Sequence, residues 1–323
     1  MAPRRVLPYT PSVSAPPVTA IVLHFGAPAT TERCLASLAA CGYPRLTAMV
    51  VNNAPAGAWA IAGLAIEHLS PPDNAGYAAG NNLALHHVQG RSEGYALLLN
   101  NDAELEPGAL AELVACAERD PRIALVGARV IAPAGPTLDH GRVVFGPYLV
   151  ERRAPPAAPT DLAVRAPAGE SFEDCAAVDA EWVSGCALLV RLAALPDIGL
   201  LDEDFFLYGE DVDWCLRARR AGWRVVYQPA AVVRHDDAPS PATTERRAYF
   251  LARNAILLSR RHAPPLARLR TVAACALLPA ASLLRRLWRG EPLAPAAWVG
   301  RGVLDGLRER PPRLAALGLA RAV

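Results

Sequence analysis

A chain of 323 residues, 52% hydrophobic and 20% charged, can bury one large core or two smaller ones and is too apolar for an intrinsically disordered protein. A net charge of +2 gives no footing for a nucleic-acid partner, and because every basic residue other than histidine is arginine, arginine abundance alone carries little meaning. Seven scattered cysteines without a Cys-x-x-Cys pair read as buried free thiols of a reducing, cytoplasmic compartment and argue against a zinc site.

Residues 1–17 are Pro-rich, lack the apolar core of a secretory signal, and read as a disordered leader. From Val18 the pattern becomes regular. VTAIVLHF has strand length, and TTERCLASLAAC follows with Leu35 and Leu38 on one helical face. TAMVVNN is a second strand, AIEHLS a weaker third, and NAGYAAGNNLALHHVQ a Gly/Asn-rich turn entering a helix. YALLLNND is a fourth strand and PGALAELVACAERD another helix. Strands alternating with amphipathic helices predict an α/β fold, a mostly parallel sheet with helices on both faces and ligands beyond the carboxyl ends of the strands. His24, Asn52, Asn74 and Asn100–Asp102 stand at those ends.

Beyond Arg129 the pattern weakens, and residues 151–175 read as a Pro/Ala-rich mobile loop. It returns with VDAEWVSGCALLVRLAAL, then with a helix, DVDWCLRARRAG, capped at its C-terminus by Gly222, and a strand, WRVVYQ. From Ala248 the chain is mostly helical and basic, and the apolar run from Val272 to Leu284 is too short and proline-broken to span a bilayer. Residues 263–323 form a basic amphipathic extension: either it lies on an anionic inner membrane face, or it caps the domain with its arginines solvated.

Four stretches could carry chemistry. LLLNNDAELEP (97–107) drives an apolar strand into amide and carboxylate oxygens, which either turn the chain or place Asp102 where Mg²⁺ or Mn²⁺ meets phosphate. FFLYGEDVDWCLRARRAGW, with Glu203 and Asp204 just before it, sets Glu203, Asp204, Glu210, Asp211 and Asp213 among aromatics, where desolvation can raise a carboxylate toward the range of a general base. Asp213 reads as half of a surface i,i+4 pair with Arg217; Glu210 and Asp211 stay candidates. His235 follows the strand WRVVYQPAAVV, in RHDD, as a lone histidine that is either structural or a ligand, and NAGYAAGNN offers small residues that let backbone amides approach a phosphate or base.

In this order, NAGYAAGNN, LLLNNDAELEPGAL and FFLYGEDVDWCLRARRAGW followed by a histidine closely resemble the family-2 inverting glycosyltransferases, especially bacterial rhamnosyltransferase-like members that build cell-surface polysaccharides. The resemblance spans about residues 18–262. It implies a GT-A fold, with a Rossmann-like nucleotide-sugar half (18–130) and an acceptor half (131–262). It puts Asn100, Asn101 and Asp102 in the place of an Asp-x-Asp motif, makes Asp102 and His235 metal ligands for Mg²⁺ or Mn²⁺, and makes Asp211, with Glu210 beside it, the general base. His24, Asn52, Asn74, Gly76, Tyr77, Gly80 and Asn81 join the donor side; Trp182, Gly185 and Asp204 the acceptor side. The implied activity moves rhamnose or a hexose from a nucleoside-diphosphate donor to a saccharide or lipid-linked acceptor. Asn52 and Asn100 depart from the family by removing a charge where Asp is common. They leave room for a rival, a catalytically impaired homologue that binds sugar nucleotide as an assembly partner. A sugar nucleotidyltransferase needs an Arg-bearing Gly-rich loop that HFGAPATTER lacks, and a dehydrogenase needs a Gly-x-Gly-x-x-Gly fingerprint that is missing.

Overall fold

The computed structural model describes residues 15–54, 57–133, 135–136, 139–145, 151–153, 176–236, 241–289, 294–312, 317 and 319. In chain order its elements begin with β1 (Val18–His24), α1 (Pro28–Ala40), β2 (Leu46–Asn52), β3 (Ala65–Leu69), α2 (Gly76–Val88), β4 (Tyr95–Asn100), β5 (Ala103–Leu105), α3 (Ala109–Glu118) and β6 (Ile123–Ala132). Short strands follow: β7 (Gly135–Pro136), β8 (His140–Val144), β9 (Glu151–Arg153), β10 (Val178–Asp179) and β11 (Trp182–Val183). Then come β12 (Ala187–Arg191), α4 (Leu195–Ile198), α5 (Glu210–Arg220), β13 (Arg224–His235) and the helices α6 (Pro241–His262), α7 (Pro265–Arg289) and α8 (Ala294–Leu307).

Side chains alternate across a strand, so a strand covered on both faces must be apolar at every position. Strands β1 and β4 come close to it, with Thr19 inside β1 and His24 and Asn100 at the strand ends as the polar exceptions. Ala20, Val22, Leu97 and Leu99 enter one core with Leu35 and Leu38 of α1 and Leu110 and Leu113 of α3. Ile21, Leu23, Ala96 and Leu98 enter the opposite core with Leu85 of α2 and Val212 and Trp214 of α5. Each fully buried Leu or Val stabilises this sandwich by roughly 1.5–3 kcal/mol.

The sheet runs β10-β13-β6-β12-β4-β1-β2-β3. The four strands β3, β2, β1 and β4 are parallel, as the alternating pattern predicts. The second half departs from it. Strand β12 enters antiparallel between β4 and β6, and β10 and β5 pair antiparallel with β13, so the sheet is mixed. Strand β13 also runs past the predicted WRVVYQ to His235, absorbing Pro229 in an irregularity between Gln228 and Val232. Its far end pairs with β5, setting His235 opposite Ala103.

Of the expected loop over 151–175, residues 151–153 form β9 against β8, and 154–175 lie outside the described residues. Of the expected leader, residues 1–14 also lie outside them; Tyr43 and the Tyr95 amide hydrogen-bond to the carbonyls of Pro16 and Pro17. In the C-terminal extension α8 packs tightly on α6: a Cβ at Gly302 would collide with the Tyr249 carbonyl, and one at Gly306 would lie 2.7 Å from the Arg253 carbonyl. No described helix is long and apolar enough to cross a membrane.

Candidate functional site

At the carboxyl end of β4 a cavity of about 570 Å³ opens, lined by Asn100, Asp102 and His235 at one end and by Tyr77, Gly185, Glu210 and Asp211 at the other. The β5–β13 pairing builds the first end. The Asp236 amide donates to the Asp102 carbonyl at 3.0 Å, which sets Asp102 Oδ1 3.1 Å from His235 Nε2. Asn100 Nδ2 lies 3.4 Å from the same nitrogen. Two ligands in cis positions on an ion with bonds of about 2.1 Å would stand about 3 Å apart. The oxygen and nitrogen already have that spacing, so this pair could hold Mg²⁺ or Mn²⁺, with remaining positions for phosphate oxygens and water.

The second end rests on the first turn of α5, where Gly209 at φ 96° lets the chain turn into the helix. Asp211 is held from two sides: Oδ1 accepts from the Val212 amide at 2.8 Å, and Oδ2 from the Gly185 amide at 3.1 Å. Glu210 beside it is buried. The same short loop reaches the other end of the cavity, because the Cys186 carbonyl accepts from the Asn100 amide at 2.9 Å. Tyr77 fixes the loop's middle by donating its hydroxyl to the Gly185 carbonyl at 2.5 Å. Burial, and then the charges of Glu210 and Asp211, push that phenol well above its ordinary range, so it stays a neutral donor. Asp139 steadies the loop's start: its carbonyl accepts from the Ser184 amide and its carboxylate from the Val130 amide.

Helix α6 supplies a wall that sequence reading missed. Arg247, Leu251, Asn254, Ala255 and Leu258 recur at helical spacing along the cavity. Asn254 donates its amide to the carbonyls of Phe205, Leu207 and Tyr208 at 2.9, 2.8 and 2.7 Å. Those bonds hold a strained loop, since Phe206 and Tyr208 take φ of 61° and 68°, each costing about 1–3 kcal/mol for a bulky residue. The loop also packs on α2, with the Phe206 carbonyl accepting from the Tyr77 amide at 2.6 Å. The available signal was Asn254 itself, an amide among apolar residues in FLARNAILL.

Several sequence candidates stand beside the cavity instead of lining it. Of the NAGYAAGNN set only Tyr77 faces the cavity. Gly76, at φ 78°, leaves room for the Phe206 ring; a Cβ at Gly80 would collide with Leu23. Asn74 donates to the Leu319 carbonyl, Asn81 to the Tyr77 carbonyl, and Asn101 to the Phe25 carbonyl and the Thr31 hydroxyl. Trp182 is fully buried in the core, and Asp204 is an exposed partner of Arg261. The surface role expected for Asp213 is wrong: it is 1% exposed and bound to His262 at 2.7 Å as well as to Arg217 at 2.8 Å. His24 and Asn52 sit side by side at the ends of β1 and β2. His24 Nδ1 bonds the Thr31 hydroxyl, its ring lies 4.7 Å from that of Trp59, and burial lowers its pKa. Among the described residues His24 Nε2 and Asn52 Oδ1 have no hydrogen-bond partner.

A family model described as "Glycosyltransferase like family 2" matches residues 16–249. The N-acetylglucosaminyl-diphospho-decaprenol L-rhamnosyltransferase of Mycobacterium tuberculosis is 34% identical over 157 residues, 45% of this chain and 48% of that protein, so the chain spans about half the length of this relative. Among solved structures, GalNAc-T7 with UDP, GalNAc and Mn²⁺ superposes with a TM-score of 0.55 at 12% identity, covering 76% of this chain and 51% of that one. The mannosyltransferase PcManGT from Pyrobaculum calidifontis, in complex with GDP-Man and Mn²⁺, gives 0.52 at 19% identity, covering 91% and 88%. The fold is GT-A-like, a mixed central sheet flanked by helices with a helical C-terminal extension. With most of its length matched to one family model, this chain belongs to the family-2-like glycosyltransferases.

Proposed function

We propose that the protein is an inverting glycosyltransferase that moves rhamnose or a hexose from a nucleoside-diphosphate donor to a saccharide or lipid-linked acceptor in cell-surface polysaccharide synthesis. It would work in the cytoplasm or on the inner membrane face. One observation carries this reading: Asp102 with His235, and Asp211 with Glu210, line one cavity and are tied together through residues 184–186. The sugar class follows the rhamnosyltransferase relative; dTDP-rhamnose or a UDP-hexose is the expected donor.

In such a transfer the acceptor hydroxyl must lose a proton while negative charge grows on the leaving diphosphate. Asp211 suits the first task. Its two backbone hydrogen bonds fix the carboxylate plane, and each oxygen keeps a lone pair with which to accept the hydroxyl proton. Asp102 and His235 suit the second as the residues that would hold Mg²⁺ or Mn²⁺, with Asn100 adding a neutral amide. A bound divalent cation would supply electrostatic stabilisation of the diphosphate. Attack from the Asp211 end on a sugar whose diphosphate points to the Asp102 end is a single displacement, which inverts the anomeric carbon. The buried, unpartnered atoms His24 Nε2 and Asn52 Oδ1, with Trp59 against the His24 ring, would suit a base or ribose edge.

A thermal-shift panel of UDP-, dTDP- and GDP-sugars with and without Mn²⁺ tests the donor side. One nucleotide class should raise the melting temperature, and more so with Mn²⁺. No shift with any nucleotide would remove the donor site.

A further inference from the structure

We propose that α7 docks the protein on an anionic lipid bilayer, lying in the plane of the interface with its outer apolar stripe in the acyl region. This rests on the reading above only for why a membrane would be useful. The stripe consists of Leu266, Leu269, Leu277 and Trp288, which are 60, 66, 70 and 86% exposed. At 100° per residue they fall within an arc of about 100°, and at 1.5 Å per residue they extend over about 33 Å. The opposite side of α7 is where the helix meets its own protein: Cys275 is buried against Ala252, Ile256 and Val303 of α6 and α8. In the extension, α8 caps the domain while α7 leaves an apolar face turned outward.

Charge selects the occupant. Helix α7 (Pro265–Arg289) carries five arginines and not one Asp or Glu. Arg268 and Arg270, on the first turns of α7, are exposed next to Leu266 and Leu269. A second copy docked face to face through α7 would oppose two such carboxylate-free, arginine-rich segments. An anionic bilayer instead meets the leucines and tryptophan with acyl chains and the guanidinium groups with phosphates. Tryptophan near one end of the stripe suits the headgroup boundary, where an apolar ring with a polar edge is best accommodated. Since no described helix can cross a membrane, the contact would be one of lying on it.

The test is flotation of the full chain with phosphatidylcholine vesicles and with vesicles of phosphatidylcholine and phosphatidylglycerol, at low and high salt. The expected result is binding to the anionic vesicles alone, weakened by salt. The double variant Leu277→Glu/Trp288→Glu should lower it about tenfold or more, with circular dichroism, melting and transfer to a water-soluble acceptor unchanged. Failure to float with anionic vesicles, or flotation untouched by the double variant, would overturn the proposal. So would a dimer in light scattering that the same variant dissociates, since a second copy would then cover the face. Flotation is read without turnover, so loss of the transfer reading and loss of the docking reading give different results.

Discussion

The two ends of the cavity hold their carboxylates by different means. Asp102 sits at a strand end, half-buried, with its side chain turned to a neighbouring imidazole and to solvent. Asp211 sits on a helix and is gripped by two backbone amides that fix its plane. A carboxylate with open coordination directions suits a cation and a phosphate; one held rigidly suits a proton transfer whose geometry must not wander. The 184–186 loop, touching both ends, converts two unrelated local structures into one site.

Breaking the rigid end should have the largest effect. Asp211→Asn keeps the shape and removes the basic oxygen; turnover in a transfer assay should fall by about a thousandfold or more while donor affinity by calorimetry persists. At the open end, Asp102→Ala should raise the Mn²⁺ concentration for half-maximal rate by about a hundredfold, and His235→Ala by about tenfold, in metal titrations of the initial rate. The link between them is sharpened by Gly185→Ala. A Cβ there would lie 3.0 Å from the Tyr77 hydroxyl and 3.4 Å from Asp211 Cβ, so kcat should drop about tenfold with little change in melting temperature.

Effects on stability should be smaller. Asn254→Ala abandons three carbonyls of the strained loop and should cost about 2–3 kcal/mol in denaturant unfolding. Acid should act through Asp213. Burial pushes its carboxyl up, but the bond to His262 and the charge of Arg217 outweigh that and leave it below its ordinary 3.8. A depressed carboxyl adds stability that is complete above the unfolded value and lost as pH falls through the lower folded value. Melting followed from pH 5 down to pH 2 should therefore show a loss beginning below about pH 4 that is reduced in Asp213→Asn.

What could be read before the fold was known follows the range of the contacts involved. Strands β1, β2 and β4 announce themselves because burial on both faces demands continuous apolar runs, and α5 because a carboxylate-rich first turn and Gly222 punctuate it. The antiparallel insertion of β12 was hidden: ALLV is equally apolar in either direction, and only its neighbours Leu97 and Val126 decide the pairing. Asp213 looked like a surface residue because the i,i+4 arginine is visible in sequence, whereas His262, 49 positions away, is not. The same distance problem concealed Asn254, whose partners are local to one another but 46–49 residues from it. Gly76 and Gly80 were legible as required glycines, but the contacts that demand their smallness, a Phe206 ring and a Leu23 side chain, were not.

The most direct test of the shared cavity is a crystal structure of Asp211→Asn with the nucleoside-diphosphate sugar that stabilises the protein best, in the presence of Mn²⁺. The account predicts the diphosphate and metal at Asp102 and His235, and the anomeric carbon presenting its free face to residue 211. A nucleotide bound elsewhere, or a sugar turned away from that residue, would contradict it.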